Sequence, residues 1–116
     1  MSRIAAESAG ASPVQPVASP TGTVVREGDR RWQRGPAPGV DIQMLLKNKT
    51  MLVRMAPGSR IPAHHHHSDE QCLVLEGSLR TGDLVAQAGD YVHMVSGSDH
   101  ADIESASGCL FLIAYS

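Results

Sequence analysis

The sequence is poor in aromatic residues, because its 116 positions include only one Trp, two Tyr and one Phe. A hydrophobic core must therefore be built mainly from Val, Leu, Ile, Met and Ala. Neither sign of charge is in excess, since the formal net charge is −2 with histidine neutral. This balance gives no general electrostatic attraction to nucleic acid or to an anionic membrane, and we expect neither as a partner.

Cysteine and long apolar segments are also scarce. No apolar run approaches the ~18 residues that a membrane-spanning helix needs, and the N-terminal residues lack the apolar stretch of a signal peptide. The two cysteines, Cys72 and Cys109, lie within apolar runs and outside any CxxC pair. We therefore expect two buried thiols rather than a disulfide or a thiolate metal site, in a cytoplasmic protein.

The chain is predicted to consist of a tail and one domain. Residues 1–22 are rich in Ala, Ser and Pro without apolar periodicity, so a flexible tail is expected there. Residues 23–116 contain short apolar runs separated by turn residues and no sustained helical period. The clearest runs are Val40–Leu46, Thr50–Met55, Gln71–Glu76, Leu84–Ala86, Tyr91–Val95 and Cys109–Tyr115. This pattern predicts an all-β sandwich or barrel of antiparallel strands.

A run of four histidines is the most informative segment. In a strand, residues two apart share a face, so His64 and His66 can direct two imidazoles to one point. Glu70 follows at a distance that allows the chain to turn and return a carboxylate, and His100 follows a later strand and turn. Three imidazoles and one carboxylate suit one divalent ion per chain, such as iron, manganese, nickel, copper or zinc.

Neighbouring polar residues leave alternatives open. His65 and His67 should point away from the pair, but a register slip of one residue would make them the pair instead. His93 lies on a predicted strand whose parity relative to the site is open. Glu104 is either a second carboxylate near the metal or an exposed strand residue.

The spacing of these residues resembles the two sequence motifs of the cupin superfamily. The first motif, G-x5-H-x-H-x3-E-x6-G, is matched by Gly58, His64, His66, Glu70 and Gly77. The second motif, G-x5-P-x-G-x2-H-x3-N, is matched by Gly89, Gly97 and His100, whereas Val95 and Glu104 replace its proline and asparagine. The resemblance implies a jelly-roll barrel, or double-stranded β-helix, with the four predicted ligands inside. The motif glycines end apolar runs, where turns often require positive φ.

Further segments are similar to the cupin domain of ChrR-type anti-sigma factors. They include Leu52–Gly58, Leu73–Gly77, Ala88–Val92 and the pair Gly108-Cys109. In those factors a helical domain with a His-x3-Cys-x2-Cys cluster holds the sigma factor. Because this sequence contains no such cluster, we do not expect the anti-sigma role. Ser68-Asp69 stands where that family tends to have a glycine pair.

The resemblance leaves three functions open, because cupins host several on one scaffold. The first is a metal-dependent enzyme of dioxygenase type that acts on a small molecule. The second is a non-enzymatic sensor or binding module, in which the metal site binds a signal. The third is a structural zinc site. A homodimer is also expected, with its contact near Val24–Arg34, because a small core with few aromatics often gains stability by association.

Overall fold

The computed structural model describes residues 17–63, 68–97 and 101–115. These residues form eleven β-strands and one 3-10 helix, Glu27–Asp29. The strands are β1 (Val17–Ser19), β2 (Gly22–Val24), β3 (Trp32–Arg34), β4 (Val40–Leu46), β5 (Thr50–Met55), β6 (Ser59–Ile61), β7 (Glu70–Thr81), β8 (Leu84–Gln87), β9 (Tyr91–Met94), β10 (Ile103–Ser105) and β11 (Cys109–Tyr115). The all-β prediction is confirmed. In these ranges no helix has the length and apolar character needed to cross a membrane.

The chain divides into two units, Met1–Arg31 and Trp32–Ser116. Within the first unit, β1 and β2 form an antiparallel hairpin that overlaps the C-terminal end of the predicted tail. The remainder of that tail, residues 1–16, lies outside the described residues. The second unit contains strands β3 to β11 and the candidate site.

Strand β7 connects the two halves of the second unit. Its first half pairs with β9 and β11, and through β11 with β5, β4 and β3. Its second half pairs with β8 on one side and with β10 and then β6 on the other. The described strands of this unit are therefore joined into one curled antiparallel sheet, the arrangement expected of a jelly-roll barrel.

The change of partners along β7 occurs at Gly77. Its φ of +73° lies in the left-handed region, and a Cβ added there would stand 2.1 Å from the Gly108 carbonyl oxygen. A register shift between Leu110 and Phe111 of β11 lies close by, where Leu110 pairs with Glu76 and Phe111 with Val74. Only glycine combines this φ with so close a backbone approach, which explains why the motif requires it. The positive φ expected for the motif glycines is confirmed at all four, since Gly58, Gly89 and Gly97 have +80°, +94° and +81°.

The core is built mainly from aliphatic side chains, as the composition predicts. Alternation along β7 and β11 directs Cys72, Val74, Phe111 and Ile113 to one side, which we call the inner face. The only phenylalanine, Phe111, is 1% exposed and lies opposite Val74 in the register. Both cysteines are free thiols and buried.

Candidate metal centre

Glu70 is the predicted ligand that the structure describes. It is the first residue of β7 and lies between Met94 of β9 and Tyr115 of β11 in the register. Because Cys72 and Val74 follow it at intervals of two, its side chain belongs to the inner face, and the residue is only 8% exposed. A buried carboxylate at the end of a strand is a suitable ligand for a divalent ion.

Tyr115 shares this position on the adjacent strand. Burial raises the pKa of its phenol, and the nearby Glu70 charge raises it further. The phenol therefore stays protonated near neutral pH and can donate a hydrogen bond beside the carboxylate. Sequence reasoning assigned Tyr115 only to the last strand, although alternation from Phe111 and Ile113 already predicts that it faces inward.

Asp69 connects the approach to β7 with the turn after β9. Its Oδ1 accepts a hydrogen bond from the Ser96 backbone N–H at 2.7 Å, and its Oδ2 lies 3.2 Å from His93 Nε2. These contacts lower the pKa of Asp69, with the Ser96 bond as the largest cause. The two chain segments lie 27 residues apart in the sequence, so this is a tertiary contact.

Asp102 makes a second contact of the same kind. Its Oδ1 accepts a hydrogen bond from the Ala63 backbone N–H at 2.7 Å. Its Oδ2 lies 3.2 Å from an Arg60 guanidinium nitrogen. This contact joins Ala63, which precedes the histidine run, to Asp102, which precedes β10, across 39 positions of sequence.

The two aspartates border both segments that carry the predicted histidines. Residues 64–67 lie between Ala63 and Ser68, and residues 98–100 lie between Gly97 and Ala101. Each segment is thus flanked by one aspartate contact on either side. His64, His66 and His100 themselves, with His65 and His67, lie outside the described residues. Within the described ranges no group of three or more His, Cys, Asp or Glu side chains could hold a metal ion.

His93 and Glu104, whose positions the sequence leaves open, both lie outside the inner face. His93 alternates with buried Met94 and is exposed, so it faces outward and contacts Asp69. Glu104 is exposed between buried Ile103 and Ser105. It lines an outer cleft of about 610 Å³ together with Arg60. The reading of Glu104 as an exposed strand residue is therefore correct.

The alternation of the two flanking strands does not determine the register of the histidine run. Ile61 packs against the core at the end of β6, and Glu70 faces the core at the start of β7. Residues 62, 63, 68 and 69 lie outside both strands, and Ala63 is exposed two positions after Ile61, so the alternation of neither strand extends to the histidine run. The register question therefore needs a direct test with substitutions.

Comparison with known proteins supports this architecture. The family model of the ChrR Cupin-like domain matches residues 20–116. No curated protein matches the chain. The solved complex of Rhodobacter sphaeroides SigE with the anti-sigma ChrR is similar at 27% identity and a TM-score of 0.64. That match covers 78% of this chain and 51% of the other, so this chain spans about half the length of its relative.

Two further solved structures share the fold. A predicted oxalate decarboxylase from Thermotoga maritima is 26% identical, with a TM-score of 0.68, over 79% of this chain and 96% of that chain. An acetylacetone dioxygenase from Acinetobacter johnsonii is 18% identical, with a TM-score of 0.67, over 72% of this chain and 66% of that chain. At 18% identity the likeness to the dioxygenase concerns the fold alone.

Proposed function

The chain belongs to the ChrR cupin-like family, and from this premise we propose that it binds one divalent metal ion through His64, His66, Glu70 and His100. The observation that carries the proposal is the buried Glu70 carboxylate. The contacts of Asp69 and Asp102 border two segments, residues 64–67 and 98–100. Those segments contain the three histidines, and imidazole and carboxylate together suit a borderline divalent ion.

The inner face fits such an ion chemically. Glu70 supplies a negative charge at a position that is only 8% exposed, opposite buried Met94 in the register. A low-dielectric environment strengthens the attraction between a carboxylate and a cation. Tyr115 supplies a neutral hydrogen-bond donor beside it. This combination favours a functional centre over a purely structural zinc site, which needs no additional donor.

We infer that the function is that of a metal-dependent enzyme of dioxygenase type acting on a small molecule. A bound metal ion would supply Lewis-acid and redox chemistry toward a ligand with oxygen donors. Glu70 would hold the ion, and a carboxylate that leaves the ion can accept a proton from the substrate. The Tyr115 hydroxyl would orient a substrate oxygen by donating a hydrogen bond.

A second candidate is a sensor or binding module. The observation that favours it is the likeness to the anti-sigma ChrR, which is solved in complex with SigE. The outer face of the sheet offers apolar side chains to a protein partner, since Leu73, Leu75 and Tyr91 are 38%, 38% and 60% exposed. In this reading the metal site would bind a signal and the partner would detect the change.

Metal analysis and oxygen uptake separate these candidates. We expect the untagged chain to carry about one divalent ion, and the iron(II)-loaded protein to consume oxygen with a substrate from a panel of small diketones and organic acids. Metal binding without oxygen uptake, together with metal-dependent binding to a partner protein, would favour the sensor. Absence of metal from the protein and failure to bind added iron, zinc or cobalt would contradict both.

We also propose a homodimer. The three-residue strand β3 begins the strand order of its sheet, and Trp32 on it carries the Arg54 guanidinium 4.0 Å above its ring. An exposed edge strand can pair with a second copy. Light scattering at tens of micromolar should give twice the mass of one chain. Trp32→Ala should lower that mass, whereas a monomeric mass for the unmodified chain would contradict the proposal.

A further inference from the structure

Asp69 and Asp102 use both of their carboxylate oxygens in the same way. In each residue Oδ1 accepts a hydrogen bond from a backbone N–H at 2.7 Å, and Oδ2 lies 3.2 Å from a side-chain nitrogen. The backbone donors, Ser96 and Ala63, belong to the opposite motif segment in each case. The two residues therefore cross-connect the same pair of segments from opposite sides.

We propose that Asp69 and Asp102 are positioning residues that hold the two histidine-bearing segments together before metal binds. This inference rests on the proposed metal site, and neither aspartate is proposed as a ligand. Without the contacts, metal binding would also have to bring together the chain on either side of the two segments, and affinity would fall by the entropy cost of doing so. Partners that hold metal-binding residues in place typically contribute 10–100-fold to affinity.

The geometry predicts which substitutions are tolerated. A backbone N–H requires an acceptor at one position, and an asparagine side-chain oxygen can occupy the place of Oδ1. Asp69→Asn and Asp102→Asn should therefore retain the backbone contact, although they lose the charge and replace the Oδ2 acceptor with an amide donor. Asp69→Glu and Asp102→Glu retain the charge but move the acceptor by one methylene, and Asp69→Ala and Asp102→Ala remove it. A role through charge alone predicts the opposite order for Asn and Glu.

The test is a cobalt(II) titration of the metal-free full-length chain, followed by visible absorption. We expect the two Ala and two Glu variants to bind about tenfold or more weakly, and the two Asn variants to stay within about threefold of the unmodified chain. At saturating cobalt all six variants should share the absorption spectrum of the unmodified chain, because the ligands are unchanged. Asp41→Ala is the matched control, since that carboxylate pairs with Arg54 at 3.1 Å.

The outcomes separate the two proposals. If the unmodified chain binds no cobalt, the proposed metal site is wrong. If it binds cobalt and the Ala and Glu variants bind equally well, the positioning role is wrong. An altered saturated spectrum in the Asn variants would identify the aspartates as ligands and would also overturn it. If the Ala variants do not fold, the Asn and Glu variants still decide the question, because they differ in geometry and charge.

Discussion

The middle and the start of strand β7 are stabilised in different ways. At Gly77 the strand depends on backbone fit, with a positive φ and the Gly108 carbonyl oxygen where a Cβ would be. At Glu70 the strand is bordered by a side-chain contact, in which Asp69 accepts the Ser96 N–H. The difference indicates that the fold depends on close backbone packing, whereas the candidate site depends on a few polar side chains. Substitutions at these two positions should therefore separate stability from metal binding.

The largest effect on stability is expected from Gly77→Ala. The left-handed φ costs a non-glycine residue about 1–2 kcal/mol, and overpacking against backbone adds about 1–3 kcal/mol. A loss of about 3 kcal/mol is a large fraction of the free energy of unfolding of a small domain. Thermal unfolding of the metal-free protein should show a decrease of more than about 10 °C in Tm.

Gly89→Ala provides the matched control. Gly89 has a φ of +94°, but a Cβ added there has nothing within 4 Å. It should therefore lose only the contribution of the backbone conformation, about 1–2 kcal/mol. Equal losses in both variants would show that the close approach to Gly108 does not matter, and the account of β7 would be wrong.

At the start of β7 and in the histidine segments, we expect loss of most bound metal when a single proposed ligand is replaced. The variants are Glu70→Ala, His64→Ala, His66→Ala and His100→Ala. Affinity should fall by more than about 100-fold, because direct ligands contribute more than the residues that orient them. The metal-free variants should keep the far-ultraviolet circular dichroism of the unmodified chain, since the sheet has its own core. Elemental analysis of each purified variant measures the occupancy.

His65→Ala decides the register of the histidine run. The proposed ligand set requires this variant to keep its metal. Loss of metal in His65→Ala together with full occupancy in His64→Ala would mean that the register is shifted by one residue, with His65 and His67 as the pair. Full occupancy in all of the ligand variants would refute the site as a whole.

Much of the fold was predictable from the sequence because its strands are short and alternate. The predicted runs Val40–Leu46, Thr50–Met55 and Cys109–Tyr115 coincide with β4, β5 and β11. Strand β10, Ile103–Ser105, was missed because three residues are too few for a periodicity. The full length of β7 was also missed, because Gly77 is an ordinary turn signal and here lies within a strand.

The candidate site was predictable only in part. Spacing selected Glu70, and the structure describes it as a buried inner-face residue, which is compatible with a ligand. Asp69 and Asp102 were not selected, because a contact between a carboxylate and a backbone N–H many residues away leaves no pattern in the sequence. His93 could not be assigned to a face until the pairing of β9 with β7 was known.

The final expected effect concerns alkaline pH and tests the buried inner face of β7. Burial raises the pKa of Cys72 to about 12 from 9.0, and the Cys109 and Glu70 charges add to this. Burial also raises the pKa of Cys109 and of Tyr115. The folded state therefore keeps these protons at pH values where the unfolded chain releases them. Their contribution to stability is complete below about pH 9 and decreases as the pH rises from 9 toward 12.

Cys72→Ala should reduce this alkaline loss. One proton released only on unfolding gives a slope of about 1.4 kcal/mol per pH unit, so the variant should show a flatter decrease in the free energy of unfolding by up to that amount. The cavity that alanine leaves lowers stability at all pH values and shifts the curve without changing its slope. Urea unfolding between pH 7 and 11, with metal-free protein and a reductant, separates slope from offset. Cys109→Ala should flatten the curve less than Cys72→Ala does, and equal slopes in all three proteins would show that neither thiol is held protonated by the core.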